Sequence, residues 1–221
     1  MASIKKFKYT AVKPLLRHCA REIKNPSNKD INPALSHKNY SLLPERTITD
    51  YEYFLSIIHA NDVSYWHRAD TVALVGVVIS FPLGSCDEET EREFFEMCVS
   101  FLNIRYSERF AVQAIVHVDE SQNSSSVKGR HHLHYNFVPC IKNENKRRNT
   151  EWQVCASKLL TPVEFRSFHS DLQTFLLEHG INEYIVSKVK YGIVKNNGRN
   201  FSVKELKSDA YNRRRKRRKE Y

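Results

Sequence analysis

The sequence predicts an α+β fold: an antiparallel β-sheet with helices packed on its faces. Three stretches carry that prediction. Thr71 to Phe81, with its almost continuous apolar run V-A-L-V-G-V-V-I-S-F, has the pattern of an interior strand covered on both sides. Asp87 to Tyr106 has an acidic first turn, followed by Phe94, Phe95, Met97, Cys98, Phe101 and Leu102 at helical spacing. Ala111 to Val118 and Leu133 to Ile141 are apolar runs on either side of a Ser/Asn/Gly-rich turn, which reads as a hairpin.

The remaining elements follow in order. Residues 4 to 12 alternate loosely and suit a first strand, after which Pro14 opens a short helical segment from Leu15 to Ile23. Asn25 to Asn39 has prolines, asparagines and no periodicity, so it reads as an irregular loop, and Tyr40 to Leu43 as a short extended piece. Thr49 or Asp50 caps a helix to Ile58. Glu151 to Cys155 is a candidate strand. Thr161-Pro162-Val163-Glu164 has the form of a capping box and starts a helix to about His179, stopped by Gly180. Phe165, Phe168, Leu172, Phe175 and Leu176 form its expected core face. Ile181 to Val194 is either a last strand or a helix.

Composition narrows the function. The 221 residues carry a formal charge of +10, which points to an anionic partner, nucleic acid first. No apolar run is long enough to span a bilayer, and Met1 to Thr10 lacks the apolar centre of a secretory signal. The five cysteines are scattered without a C-x-x-C, as expected of reduced thiols in the cytoplasm. Arg213, Arg214, Arg215 and Lys216 begin a run of seven cations inside Asn212 to Tyr221, expected to be solvated, flexible and a sequence-independent phosphate contact. The expected division is a domain over 1–205 and this basic tail over 206–221.

The hairpin carries the chemistry. In a strand, side chains two apart share a face, so His132 and His134 point the same way, as do His117 and Asp119 on the other arm. If the two faces coincide, three imidazoles converge on one point and form a candidate catalytic divalent-metal site.

Two blocks resemble one family. H-V-D-E (117–120) followed by H-H-L-H-Y-N-F-V-P (131–139) is similar to the metal motif of the Mob/Pre (MOBV) plasmid mobilisation relaxases, a branch of the HUH endonucleases. Arg17-His18-Cys19-Ala20-Arg21 and Ser27 to Leu42 resemble the N-terminal motif of the same family. The resemblance implies an HUH-relaxase-like sheet and metal-dependent nicking and rejoining of origin-of-transfer DNA, single-stranded or hairpin, through a covalent 5′-phosphate adduct. It also implies possible company from other relaxosome proteins. Carried onto this chain, His18 becomes the nucleophile and His117, His132 and His134 the metal ligands. Glu120 becomes a ligand or base, Asp119 stands beside the ligands, and Arg21 stabilises phosphate charge. Manganese is favoured over magnesium by the three imidazoles. Lys38, Tyr40, Arg46 and Arg68 are expected DNA contacts, and His37 and His67 ordinary surface histidines.

Two departures leave alternatives open. The family's proline before H-x-H is replaced by His131, and the turn after Glu120 is longer, so His131 is the alternative to His132. The chain stops at the basic tail, where the family usually continues, which is the pattern of a minimal relaxase or a borrowed domain. The rival classes are a rolling-circle initiator or transposase using Tyr184 or Tyr191, with Tyr40 a further candidate nucleophile, and a non-catalytic DNA binder on the same fold.

Overall fold

Val72–Ser80 is buried along most of its length on both faces, and the rest of the molecule is layered around it. The computed structural model describes residues 2–24, 28, 30–82, 87–120, 131–144 and 149–189. In chain order the strands are β1 (Ala2–Lys8), β2 (Tyr40–Ser41), β3 (Val63–Ser64), β4 (Val72–Ser80), β5 (Ala111–His117), β6 (His132–Phe137), β7 (Cys140–Lys142) and β8 (Trp152–Val154). The helices are α1 (Tyr9–Cys19), α2 (Asp50–Ile58), α3 (Glu88–Tyr106), α4 (Ala156–Leu159), α5 (Pro162–Glu178) and α6 (Glu183–Val189). The main sheet is antiparallel in the order β1-β4-β6-β5-β2, and a small second sheet has the order β3-β8-β7.

Strand alternation gives the main sheet two unlike faces. Val75, Val77 and Ile79 of β4, Leu133, Tyr135 and Phe137 of β6, and Ala114 and Val116 of β5 join Phe94, Phe95, Phe101, Phe168 and Leu172 in one dry core under α3 and α5. Arg105 bridges those two helices through Glu164 at 2.7 Å and Asp171 at 2.9 Å. The opposite face packs Val12 and Leu16 of α1 and Phe54 and Ile57 of α2 against Leu74 and Val112. Toward the other end of that face the side chains become Gln113, Asn136, His134, His132 and His117.

Several expectations change here. Tyr9 to Val12 is not strand: α1 begins at Tyr9 and holds Pro14 inside it. Val12, Leu16 and Cys19 lie four and then three apart, so a helix buries all three, and that outweighs the bond lost at Pro14, which stands on an exposed flank. The strand expected to run on to Ile141 ends at Phe137. Pro139 cannot donate to a ladder, and beyond it the chain passes to the second sheet as β7. The capping box at Thr161 is half made: Thr161 accepts from the Glu164 N–H, while the Glu164 carboxylate accepts from Arg105 and Tyr106 instead. Phe165 is 43% exposed rather than core, with the Lys6 ammonium 5.8 Å from its ring. Within the stretch from Ile181 to Val194, Glu183–Val189 forms a helix, α6, and residues 190–194 lie outside the described residues. Thr49 makes the full capping box with Glu52.

Gly76 of β4 faces the polar side, where Asn136 of β6 leans over it. A Cβ at this position would meet Asn136 Oδ1 at 2.8 Å and the Phe7 ring at 3.0 Å. Gly76→Ala is expected to cost about 1–3 kcal/mol by overpacking, read from urea denaturation. Unchanged stability would show that Asn136 and Phe7 yield freely.

Candidate metal centre

Antiparallel pairing of β5 with β6 sets His117 directly opposite His132, and His134 two residues along on the same face. The ring centroids are 5.4 Å apart for His117–His132, 4.6 Å for His117–His134 and 4.9 Å for His132–His134. One ring nitrogen from each lies within 4.8 Å of the other two, a spacing that a single cation bound at about 2.0–2.3 Å can draw together.

His117 has no exposed surface, and its chemistry is fixed by one contact. Its Nε2 lies 2.7 Å from the Cys19 carbonyl oxygen. A carbonyl only accepts, so Nε2 carries the hydrogen and Nδ1 is left with a bare lone pair. That Nδ1 is buried and has no hydrogen-bond partner. A buried nitrogen lone pair among two further imidazoles fits a divalent ion, with the back-side carbonyl orienting the ring. Burial first, and then the Arg21 cation, push His117 down to about 4. Burial and the neighbouring imidazoles hold His134 well below the usual range. Both are therefore neutral at pH 7, the form that ligates.

The carboxylates next to the histidines are held from the N-terminal motif. Asp119 is fully buried. It accepts from Arg21 Nε at 2.8 Å, Arg21 Nη2 at 2.6 Å and Ser36 Oγ at 2.6 Å. Burial opposes its charge, yet the bonds from Arg21 and Ser36 outweigh it and hold the carboxyl far below its ordinary range. Its backbone oxygen accepts from the Asn32 N–H, Ile31 bridges to Glu120, and Asn39 Oδ1 accepts from the Val118 N–H. The stretch Ile31–Asn39, which includes a 3-10 turn over Pro33–Lys38, is thus the seat of the Asp119–Glu120 corner. Glu120 accepts from Arg21 Nη2 at 2.9 Å, and its oxygens lie 3.9 Å from His117 Nδ1 and 3.8 Å from His132 Nε2.

His18 is in the last turn of α1, and Arg21 follows with a φ of 58°, the left-handed conformation that turns the chain back beneath it. Arg21, expected to face a phosphate, has Nε and Nη2 on Asp119 and Glu120 and Nη1 3.4 Å from the His18 carbonyl oxygen. Its fork therefore braces two carboxylates. Burial and the Arg21 charge lower His18, while Glu120 and Asp119 pull it back up, so these groups share one electrostatic neighbourhood.

The other expected site residues scatter. His131 turns away from the cluster to Glu91, 2.7 Å from its Nδ1, and that hydrogen bond raises its pKa. The structure thus brings His132, not His131, to His117 and His134. Tyr40 pairs with Val116 in β2, where burial and Glu91 push its hydroxyl up to about 12. Arg46 donates to the carbonyls of Val112 and Ala111 and pairs with Asp50, so its guanidinium is turned into the protein. Lys38 is exposed. Arg68 is exposed too, paired with Asp70 just before the end of β4 remote from His132. Tyr184 is 61% exposed on α6. Arg213, Arg214, Arg215, Lys216 and Tyr191 lie outside the described residues. The sequence offered no sign of the Cys19 carbonyl, a backbone group. Ser36 and Asn32 stand inside the N-terminal motif without a role assigned to them.

The paired inner strands β5 and β6 bring together three imidazoles close to the helix that carries His18, the arrangement that the resemblance of the two sequence blocks implied. The chain belongs to the plasmid recombination enzyme family, Mob_Pre, which matches residues 1–189. It is 26% identical over 182 residues to a plasmid recombination enzyme of Bacillus thuringiensis, covering 81% of this chain and 37% of the relative. A second, from Streptococcus agalactiae, is 28% identical over 185 residues, covering 81% and 34%. The chain thus spans about a third of the length of these curated relatives. Among solved structures it is similar to the manganese-bound MobM relaxase domain in complex with plasmid pMV158 oriT DNA. The TM-score is 0.72 at 25% identity, over 95% of this chain and 97% of that one.

The depressed imidazoles have a thermodynamic signature. An unfolded histidine takes its proton near pH 6.5, while His117 resists it down to about 4 and His134 also resists it. Between those values the unfolded state binds more protons, so the metal-free protein should lose stability as pH falls through that window and show no slope from these groups above it. Denaturant titrations across that range should show a flatter dependence for His117→Asn. An equally steep dependence would contradict the burial reading.

Proposed function

We propose that this chain is a plasmid mobilisation relaxase domain that nicks and rejoins one strand of origin-of-transfer DNA through a covalent link between His18 and a 5′ phosphate. The observation that carries this reading is the convergence of His117, His132 and His134, with the bare Nδ1 of His117 among them, close under the helix that bears His18. Its family membership and the oriT-bound MobM neighbour support it.

The three imidazoles would hold one divalent cation, manganese in preference to magnesium because nitrogen donors favour it. When bound, the cation draws charge from a nonbridging phosphate oxygen and makes the phosphorus more electrophilic. Everything else is done by the chain's own residues. Burial keeps His18 neutral at pH 7, so a ring nitrogen offers its lone pair to phosphorus. The nitrogen–phosphorus bond forms as the bond to the 3′ oxygen breaks. Glu120, whose charge bears on His18, accepts the proton that the imidazole sheds, and the departing 3′ oxygen takes a proton from solvent and becomes a 3′ hydroxyl. Rejoining reverses each step: the 3′ hydroxyl attacks phosphorus and His18 leaves. Arg21 serves this chemistry by holding Asp119 and Glu120 in place.

DNA affinity rests on phosphate contacts, with Lys38, Arg68 and the cations from Arg213 onward as contributors. The work belongs in the cytoplasm, where the described cysteines stay unbridged. None of the described helices is long and apolar enough to cross a membrane.

Incubation with manganese and single-stranded origin DNA from the replicon that encodes the protein should yield a protein–DNA adduct. The adduct should break in mild acid and survive alkali, because a phosphoramidate hydrolyses once its nitrogen is protonated. His18→Ala should give none. An acid-stable adduct that persists in His18→Ala and disappears in Tyr40→Phe or Tyr184→Phe would overturn the assignment.

A further inference from the structure

Beneath the histidine cluster runs a buried chain of amides that the metal chemistry does not use. Gln113 of β5 and Asn136 of β6 are each 2% exposed and face the same side of the sheet as His117 and His134. Asn136 Nδ2 donates to Gln113 Oε1 at 2.9 Å. That bond fixes which way the Gln113 amide lies, so its Nε2 must point at α1 and α2. There Nε2 donates to the Leu16 carbonyl at 3.1 Å and to Asp50 Oδ2 at 2.6 Å.

The Leu16 carbonyl already accepts the Ala20 N–H at 2.9 Å, within the last turn of α1. Three residues on, the Cys19 carbonyl accepts from His117 Nε2. The end of α1 is therefore tied to β5 at two points, by Gln113 and His117, and His18 lies between the two tied carbonyls. His117 is engaged with the imidazole cluster, so Gln113 is the tie free to set how high α1 rides over the hairpin. A core that needed only to be filled would hold an apolar residue here, since a buried amide loses its water and requires partners at every polar atom.

We infer that Gln113 is a positioning residue for the nicking reaction: acting through the Leu16 carbonyl, it holds His18 at the height from which its imidazole reaches a phosphate on the histidine cluster. This rests on the proposed role of His18 and adds what sets its placement. Nucleophilic attack tolerates little misplacement, and an error of about 1 Å can cost roughly a hundredfold in rate.

Gln113→Met keeps length and burial and removes the bonds. It should lower the rate of adduct formation roughly ten- to a hundredfold while leaving the affinity for Mn2+ alone and the KM for origin DNA within about twofold. A second readout does not depend on activity. Bound Mn2+ broadens nearby ring-proton resonances steeply with proximity, so the His18 signal should broaden less in Gln113→Met than in the parent protein. The bonds that hold His117 are untouched by the change, and its signal should stay broadened in both. If Gln113→Met does not fold, Gln113→Leu, apolar and likewise without a donor for the Leu16 carbonyl, takes its place in both measurements. Unchanged adduct rate and unchanged His18 broadening would overturn the inference, as would loss of Mn2+ affinity in step with rate. Should the parent protein form no adduct, the proposed function fails, and the His18 broadening alone decides the role of Gln113.

Discussion

A fully buried carboxylate is the constraint on which the site depends. Asp119 has no contact with solvent, and a charge so placed is tolerable only when it is paired and hydrogen-bonded. Its partners come from two separate segments: Arg21 from the end of α1 and Ser36 from the turn after Pro33. Satisfying Asp119 therefore draws the N-terminal helix and the 31–39 segment onto the end of β5 together. Glu120 takes its place as a consequence of that closure, and the end of α1 that bears His18 is drawn to the same corner, its height over the hairpin left to the Gln113 tie. An arginine fork suits the task because its planar nitrogens reach both oxygens of one carboxylate and still hold a second.

The sheet divides its labour along its length. At one end α1 and α2 cover it with apolar side chains, and at the other the same face turns to amides and imidazoles. The opposite face is dry throughout under α3 and α5, so the strands that carry the histidines have a rigid backing. Placing the histidines on paired strands rather than loops makes their separation a property of the ladder.

Elements with strong local periodicity were legible in the sequence: β4, α3, the capped α2, and the two arms of the hairpin. His117, His132 and His134 could be placed on one face because strand alternation is strict. The same alternation favoured His132 over His131 as the partner of His134, and the structure shows His131 paired with Glu91 across the fold. The start of α1 was obscured by aromatic and β-branched residues that favour strands and by a proline that looks like a beginning. The run toward Ile141 looked continuous because its apolar character does not change where Pro139 passes it from one sheet to the other. Phe165 looked like core because helical spacing alone does not say how wide the covered stripe is. The tautomer of His117 depends on the backbone carbonyl of Cys19, 98 positions away in the chain, and no pattern of side chains announces such a contact.

The central claim is that β5 and β6 present three ring nitrogens to one ion, with His117 offering Nδ1 because the Cys19 carbonyl takes its Nε2. Anomalous diffraction from manganese-soaked crystals tests it most directly. The account predicts one strong peak at about 2.0–2.3 Å from His117 Nδ1 and from one nitrogen each of His132 and His134, with the Nε2···O contact to Cys19 intact. A peak on His131 and Glu91, or ligation of His117 through Nε2 with that contact broken, would contradict it.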